Sequence, residues 1–410
     1  SRLVRDAPSL RAKARRQILI LQGQVTMDLR YTSAQQAFRA EVRDWLRANV
    51  PQAPFTSYDT RTGFEQHRQW EARLASVGFS SITWPKDLGG RGSDLIEWLI
   101  FEEEYWALDA PQRVNQNGIL LFGPTMMEFG TPEQKARFLP STARCDDMWA
   151  QGWSEPNAGS DMAAISSKAI RDGDHYIVNG QKIWSTRAVF ANWLFGLFRS
   201  DPNSFRHHGL TYLLVPLDAP GITIRPIRAL NGKEAFAEIF FDDVRVPMPN
   251  RLGEEGQGWH VAMATLERGA LARTGQLVGL AQRMLDMTVD YASQRKQFGK
   301  PIGAFQAIKH HLADVFTAIE FAKPVFYRAA AALATRDAST SARVAHAKLV
   351  CGEAALLAAR KGIQVHGAMG YTWEVDLQMF MKRAWAHTIY AGSNEIQLNL
   401  MAERALGMPR

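Results

Sequence analysis

From Gly258 onward, Met263, Leu266, Ala270, Leu277, Met284 and Tyr291 set an apolar stripe at helical spacing over roughly eight turns. That is longer than a typical globular helix. Helical patterns follow over 308–335, 340–365 and 377–387, with another at the C-terminus. Together they predict a four-helix-bundle domain over residues 251–410.

The sequence ahead of this stripe has two other textures. Residues 27–148 are helical in pattern. Ser33 with Gln36 reads as a capping box ahead of Phe38, Val42, Trp45 and Leu46. A second helix over 64–77 is closed by Gly78, a third spans 95–106, and Thr131-Pro132 opens a fourth. Residues 149–250 instead alternate short apolar runs with turn residues. Asp172-Gly173-Asp174 signals a hairpin, Asn179-Gly180 a second tight turn, and Pro247 and Pro249 a linker. The fold class predicted is α+β: an N-terminal helical domain, a middle β-barrel-like domain and a C-terminal helical bundle.

A chain of 410 residues with 46% hydrophobic content can bury a large core and hold two or three domains. No apolar run approaches the ~18 residues a membrane span needs. Cys145 and Cys351 read as small buried thiols, making neither a disulfide framework nor a metal site. The adjacent His310 and His311 point to different helix faces and lack a carboxylate partner, so no metal is assigned. The basic charge is concentrated at the start. Residues 1–26 account for +5 of the net +7, leaving no basic stripe for nucleic acid on the folded part. This segment reads as a leader or disordered extension with a weak mitochondrial-signal character.

Five short motifs then line up in order. Trp153-Ser-Glu-Pro-Asn-Ala-Gly-Ser-Asp161 resembles the TEPGAGSD loop of the acyl-CoA dehydrogenases. Gln181-Lys-Ile-Trp-Ser-Thr186 resembles their NGQKxWIT strand. Arg295-Lys-Gln-Phe-Gly299, seven residues before Gln306, resembles RxxFG…Q. Gln364-Val-His-Gly-Ala368 resembles QxxGG, and Tyr390-Ala-Gly-Ser-Asn-Glu395 resembles YEGT. The resemblance runs from Met27 to the C-terminus. It implies FAD as cofactor, held outside a Rossmann crevice, since no GxGxxG stands between a strand and a helix. It also implies that Gln151, Trp153, Ser154, Trp184, Ser185 and Thr186 flank the flavin ring, and that Gly159 and Ser160 lie near pyrophosphate and acyl-CoA. By the same resemblance Arg295, Phe298, Gln306, Gln364, Gly367 and Ala368 hold the ADP half, largely from a neighbouring subunit, while Ser393 and Glu395 close the site. Left to local signals alone, Trp184 on a strand would more often be core than cofactor wall.

The family's reaction takes a proton from the α-carbon of an acyl thioester as hydride leaves the β-carbon. The proton is weakly acidic, so the base must be a carboxylate in a dry pocket, with donors for the carbonyl oxygen. Most members carry that carboxylate as the Glu of YEGT, and here the position is Ala391. A minority resembling isovaleryl-CoA dehydrogenase carry it on the long C-terminal helix, where this chain has Glu267. On the helical wheel Met263, Ala270, Thr274 and Ala281 fall within about 60° of Glu267. Glu267 is therefore the candidate base, against the plainer reading of a rim glutamate paired with Arg268 or a neighbouring arginine. From Glu267 to Gly279 there are about two more residues than in the common pattern, leaving room for a local bulge or for a slip in alignment that would move the glutamate.

Ala391 and Gly392, through backbone N–H groups, together with Ser160, Arg268 and Arg328, are the candidate substrate contacts. A missing side chain at 391 points to a branched or bulky acyl group. Implied partners are acyl-CoA, an electron-transferring flavoprotein and further subunits, as a homodimer, homotetramer or heteromer. Neither nucleic acid nor membrane is expected. The implied compartment is the bacterial cytoplasm, or the mitochondrial matrix in a eukaryote. Two alternatives stay open: a flavin monooxygenase or oxidase of the same fold, and a non-catalytic subunit of a heteromeric dehydrogenase.

Overall fold

The computed structural model describes residues 31–230 and 232–409. The leader expected over 1–26 lies outside the described residues. The first tract opens with α1 (Ser33–Asn49), α2 (Arg61–Ser76) and α3 (Leu95–Ala107). The described residues up to Val50 together with Asp94–Ala110 form one unit, and Pro51–Ser93 with Pro111–Arg410 form another.

In the first unit α1 packs on α3. Phe38, Val42 and Leu46 recur every four residues and are buried, as a helix with one apolar face requires. The cap of α1 falls one residue earlier than the sequence suggested. Thr32 has the extended backbone, its hydroxyl accepts from Gln35 N–H, and Gln35 reaches back to Thr32 N–H. Ser33 is already inside the helix, and Gln36 donates to Tyr31 O instead. Glu104 is buried and takes two hydrogen bonds from Arg43, at 2.7 and 2.6 Å, and one from Arg39. The bonds from Arg43 hold its carboxyl below the usual range.

The second unit begins with α2, capped by Thr60 and ended by Gly78 at φ +75°. A π-helical turn, Asn117–Phe122, runs into α4 (Gly123–Phe129), followed by α5 (Pro132–Ala143). The Thr131–Gln134 capping box starts α5, with Pro132 at its first position. Gly123 is a close approach: a methyl group there would overlap the Trp84 indole, which is fully buried. Gly123→Ala is expected to destabilise the protein by about 1–3 kcal/mol through overpacking, despite alanine's better helix propensity. Chemical denaturation checks this: an unchanged midpoint would show that the indole has room to move.

The sheet uses β1 (Trp149–Gly152), β2 (Lys168–Asp172), β3 (His175–Thr186), β4 (Trp193–Arg199), β5 (Leu210–Pro216), β6 (Ile222–Ile227), β7 (Phe236–Pro247) and β8 (Arg251–Leu252). Its order is β6-β7-β3-β2-β4-β5-β8, with β1 parallel to β4. The β2–β3 hairpin turns at Gly173, as expected. Asn179-Gly180 does not make a turn. β3 continues through it, and the pairing with β7 shifts register there and again between Lys182 and Ser185. Both shifts are bulges, where one strand carries extra residues against its partner. Gly180, at φ +142°, leaves room for Ser167, which a side chain there would strike.

One sheet face wraps its own core of Tyr176, Val178, Leu194, Phe198, Leu213, Ile239 and Phe241. The ring of Phe198 on β4 stands edge-on to Phe241 of β7 at 5.5 Å, which fits the barrel-like character expected. The other face packs Trp149, Trp153, Phe195 and Tyr212 against Phe122, Met126 and Phe138 of the helices and against Val261 and Ala262. Cys145 and Cys351 are buried and free.

The long stripe forms α6 (Gly258–Gln294), one unbroken α-helix of 37 residues. The bulge that the spacing left room for is not there. A two-stranded ribbon, β9 (Lys296–Gln297) and β10 (Lys300–Pro301), leads to α7 (Gln306–Ala334), α8 (Thr340–His366), α9 (Leu377–Ile389) and α10 (Asn394–Ala405). Leu277, Ala281 and Met284 of α6 meet Val315 and Ile319 of α7, Ala355 and Ala359 of α8, and Leu377 and Ala384 of α9. Among the described residues no helix is long and apolar enough to cross a membrane.

Candidate active site

The sheet holds one wall of the candidate site through a buried ion pair that the sequence reading did not assign. Lys182 on β3 has a relative exposure of 0% and donates to Glu155 at 2.8 Å and to Leu197 O at 2.6 Å. Glu155 also accepts from Ser166 N–H, the Ser166 hydroxyl and Ser167 N–H. Burial raises the carboxyl's pKa, but the charge of Lys182 and these donors outweigh it and bring the pKa down to about 2. The pair anchors the 155–158 turn, closed by reciprocal bonds between Glu155 and Ala158. Gly159 and Ser160 beyond it are exposed, and their N–H groups meet no acceptor among the described residues. A side chain at Gly159 would enter open space.

The second β3 bulge re-aims the next side chain. With strict alternation Trp184 would share the buried face of Lys182. Instead Trp184 sits at φ +61° and is 55% exposed. A bulky residue in the left-handed region is strained, and such strain collects at functional sites. Trp184 is thus not core, contrary to the plainer expectation for a strand tryptophan. Trp153 is the buried one, edge-on to Phe195 and Tyr212 at 5.6 Å. Its indole N–H donates to Gln151, whose amide donates to Asn117. Ser154 O accepts from Ile183 N–H, tying the loop to β3. Ser185 is buried with an unpartnered hydroxyl, and Thr186 ends the strand half-buried.

The bundle supplies a second group. Glu267 on α6 is half-buried and makes no hydrogen bond or ion pair among the described residues. The plainer reading, a rim glutamate paired with Arg268, does not hold, because Arg268 is paired with Glu128 of α4. Ala391 packs against the cluster of Ala270, Ala329, Val344 and Ala347, on which Leu271 of α6 also packs. Ala270 and Leu271 are three and four residues beyond Glu267, so they share its side of the helix, one turn along. The loop lacking a carboxylate therefore packs on the same cluster as the stretch of α6 one turn beyond Glu267.

Ala391 and Gly392 are both left-handed, at φ +61° and +84°. Their carbonyls accept from Gln397, and Gly392 O also accepts from Lys348 at 2.6 Å. The N–H of Ala391 meets no acceptor among the described residues. Ser393 caps α10, and Glu395 is exposed in its first turn. Arg328 is exposed on α7, next to Ala329 of the Ala391 cluster.

The candidate ADP-binding residues gather at the other end of the bundle. Arg295 caps α6, and Phe298-Gly299 turns the ribbon with both residues at positive φ. Phe298 is 92% exposed, and Gln306, Gln364, Gly367 and Ala368 are exposed as well. Tyr291 stacked on His366 at 4.2 Å brings the ends of α6 and α8 together there. At the helical rise, Arg295 is about 40 Å from Glu267 along α6. No dinucleotide spans that distance. No three His, Cys, Asp or Glu residues group as metal ligands among the described residues, and His311 meets Lys361.

Three family models match in chain order: acyl-CoA dehydrogenase N-terminal domain over residues 32–146, middle domain over 150–244 and C-terminal domain over 256–406. Acyl-CoA dehydrogenase IpdE1 of Mycolicibacterium smegmatis is 38% identical over 398 residues, covering 92% of this chain and 98% of that protein. The ChsE4–ChsE5 complex from Mycobacterium tuberculosis matches at 28% identity and a TM-score of 0.78, over 94% of this chain and 100% of the matched one. The steroid ACAD Tcur3481–Tcur3483 matches at 26% identity and a TM-score of 0.77, with the same coverage.

Proposed function

The chain belongs to the acyl-CoA dehydrogenase family, and on that premise we propose that it dehydrogenates a branched or bulky acyl-CoA at the α,β position, with Glu267 as the base. The observation carrying this reading is that Ala391 packs on the cluster holding Ala270, one turn along α6 from a Glu267 that makes no ion pair among the described residues. Ala391 leaves the family's common place for the base without a carboxylate, and Glu267 on the neighbouring helix supplies one in this reading.

The residues fit a flavin. Trp184 stands out from β3, Gly159 and Ser160 offer free N–H groups beside open space, and Ser185 has an unused hydroxyl. Backbone N–H groups in such a turn suit a pyrophosphate. FAD, when bound, supplies the acceptor for the β-hydride. Glu267 takes the α-proton, and the free N–H of Ala391 donates to the thioester carbonyl, favouring charge that builds there. Alanine at 391 leaves the loop without a long side chain, which suits a wide acyl group; the steroid enzyme of the same fold is in keeping with that.

The separation along α6 supports a cofactor site shared between chains. Glu267 would serve one site, while Arg295, Phe298 and Gln306 would serve the site of a neighbour. That neighbour is a second copy or a related chain, as in the ChsE4–ChsE5 complex. An electron-transferring flavoprotein is the proposed acceptor, since the chemistry leaves a reduced flavin to be reoxidised.

Anaerobic titration of the purified protein with straight, branched and ring-bearing acyl-CoAs tests the reading. Bleaching of the flavin spectrum, strongest with bulky thioesters, is expected, with slow reoxidation in air. A flavin-free chain would support the non-catalytic subunit, and rapid consumption of oxygen by reduced flavin would support an oxidase or monooxygenase. Preference for a straight medium chain would remove the bulky-substrate assignment.

A further inference from the structure

Lys348 sits in the middle of α8 among Ala345, Ala347, Leu349 and Cys351, all buried, and its own exposure is 0%. It makes no ion pair among the described residues. Burial lowers its pKa to about 8, with Glu395 opposing the fall. An ammonium in such a place is costly, and the apolar helix around it would pack as well with leucine or methionine. Its one hydrogen bond goes to the carbonyl of Gly392.

That carbonyl belongs to a loop in an unfavourable conformation. An L-residue in the left-handed region costs roughly 1–2 kcal/mol, and Ala391 is followed by a second positive φ at Gly392. Lys348 from α8 and Gln397 from α10 draw the carbonyls of 391 and 392 to one side. In a trans peptide the N–H lies opposite the carbonyl. The N–H groups of Gly392 and Ser393 are thereby turned the other way. Those of Ala391, Gly392 and Ser393 all lack acceptors among the described residues. Successive free N–H groups in such a turn form a concave site for a negative oxygen.

We propose that Lys348 is a positioning residue for the dehydrogenation: its buried ammonium locks the 390–393 loop so that the loop N–H groups face the thioester carbonyl. The inference rests on the reading that the N–H of residue 391 meets that carbonyl. Lys348 touches neither substrate nor cofactor. Through Gly392 O it holds the turn that follows that N–H.

The test compares the FAD-loaded enzyme with Lys348→Met, using an acyl-CoA and the S-alkyl-CoA thioether of the same chain, which lacks the carbonyl. The expected result is flavin content near that of the parent and kcat lower by about 10- to 100-fold, part of the loss from removing an oxyanion donor outright. Thioester affinity should fall about tenfold, with thioether affinity unchanged. Equal losses for both ligands, or no loss, overturn the proposal. Should the methionine variant take up no flavin, Lys348→Gln, which keeps a neutral donor, is read by the same ratio. Glu267→Gln measured alongside separates the two readings. Turnover retained there removes the base and leaves the thioester-to-thioether ratio still testing Lys348. A parent enzyme that binds both ligands equally removes the carbonyl contact and this proposal with it.

Discussion

Glu267→Gln yields a folded, yellow, acyl-CoA-binding protein whose flavin is reduced by substrate about 10²- to 10⁴-fold more slowly than in the parent, the range a general base contributes. The amide matches the carboxylate in size but takes no proton. Stability should hardly change, within about 0.5 kcal/mol, because Glu267 has no ion pair or hydrogen bond to lose among the described residues. Rapid-mixing measurement of flavin bleaching, with acyl-CoA affinity taken from the binding phase, separates chemistry from binding. Near-parental bleaching would take Glu267 out of the role.

A second-site change sharpens this result. Ala391 packs on the cluster that holds Ala270, on the side of α6 that carries Glu267. Adding Ala391→Glu to Glu267→Gln returns a carboxylate to the family's common place, without a new backbone demand, since Ala391 already holds φ +61°. Part of the lost rate with small acyl-CoAs is expected back, and less with bulky ones.

The order α, β, α and the long α6 were legible because each follows from local period. The Thr131–Gln134 cap was legible for the same reason, whereas the link between residues 267 and 391 came from the family resemblance and from no local signal. At the start of α1 two hydroxyl residues adjoin, and only the backbone of Thr32 tells which one caps. Asn179-Gly180 carried a hairpin signal, yet pairing with β7 over the length of β3 overrode it and made a bulge. The same long-range pairing turned Trp184 outward, which no alternation pattern foretells. Lys348 and Lys182 were missed although each left a mark. One is a charge inside an alanine-rich helical stripe, the other a charge at an inward strand position, and a buried partner is the physical reason for either. The pairing of Arg268 with Glu128 was not legible because Glu128 is 140 residues away in the chain.

Glu155→Gln is expected to destabilise the protein by about 3–5 kcal/mol, since it leaves the ammonium of Lys182 buried without its counter-charge. Lys182→Met costs less, because Glu155 keeps its donors from Ser166 and Ser167. The double variant, with both charges gone, should lie closer to the parent than Glu155→Gln does, and that non-additivity is the sign of a coupled pair. Strict additivity of the two losses in denaturant midpoints would show that the pair does not act as one. The pH dependence has a definite sign. The folded pKa of Glu155, about 2, is below its ordinary value of 4.5, so its contribution is complete above pH 4.5. It is lost as pH falls from there towards 2, and Glu155→Gln should flatten the acid limb in that window. Lys182 is two residues from Trp184, and Glu155 closes the turn before Gly159. Loosening the pair therefore frees both sheet-side contacts proposed for the flavin, and Glu155→Gln should release flavin at lower denaturant than is needed to unfold the chain.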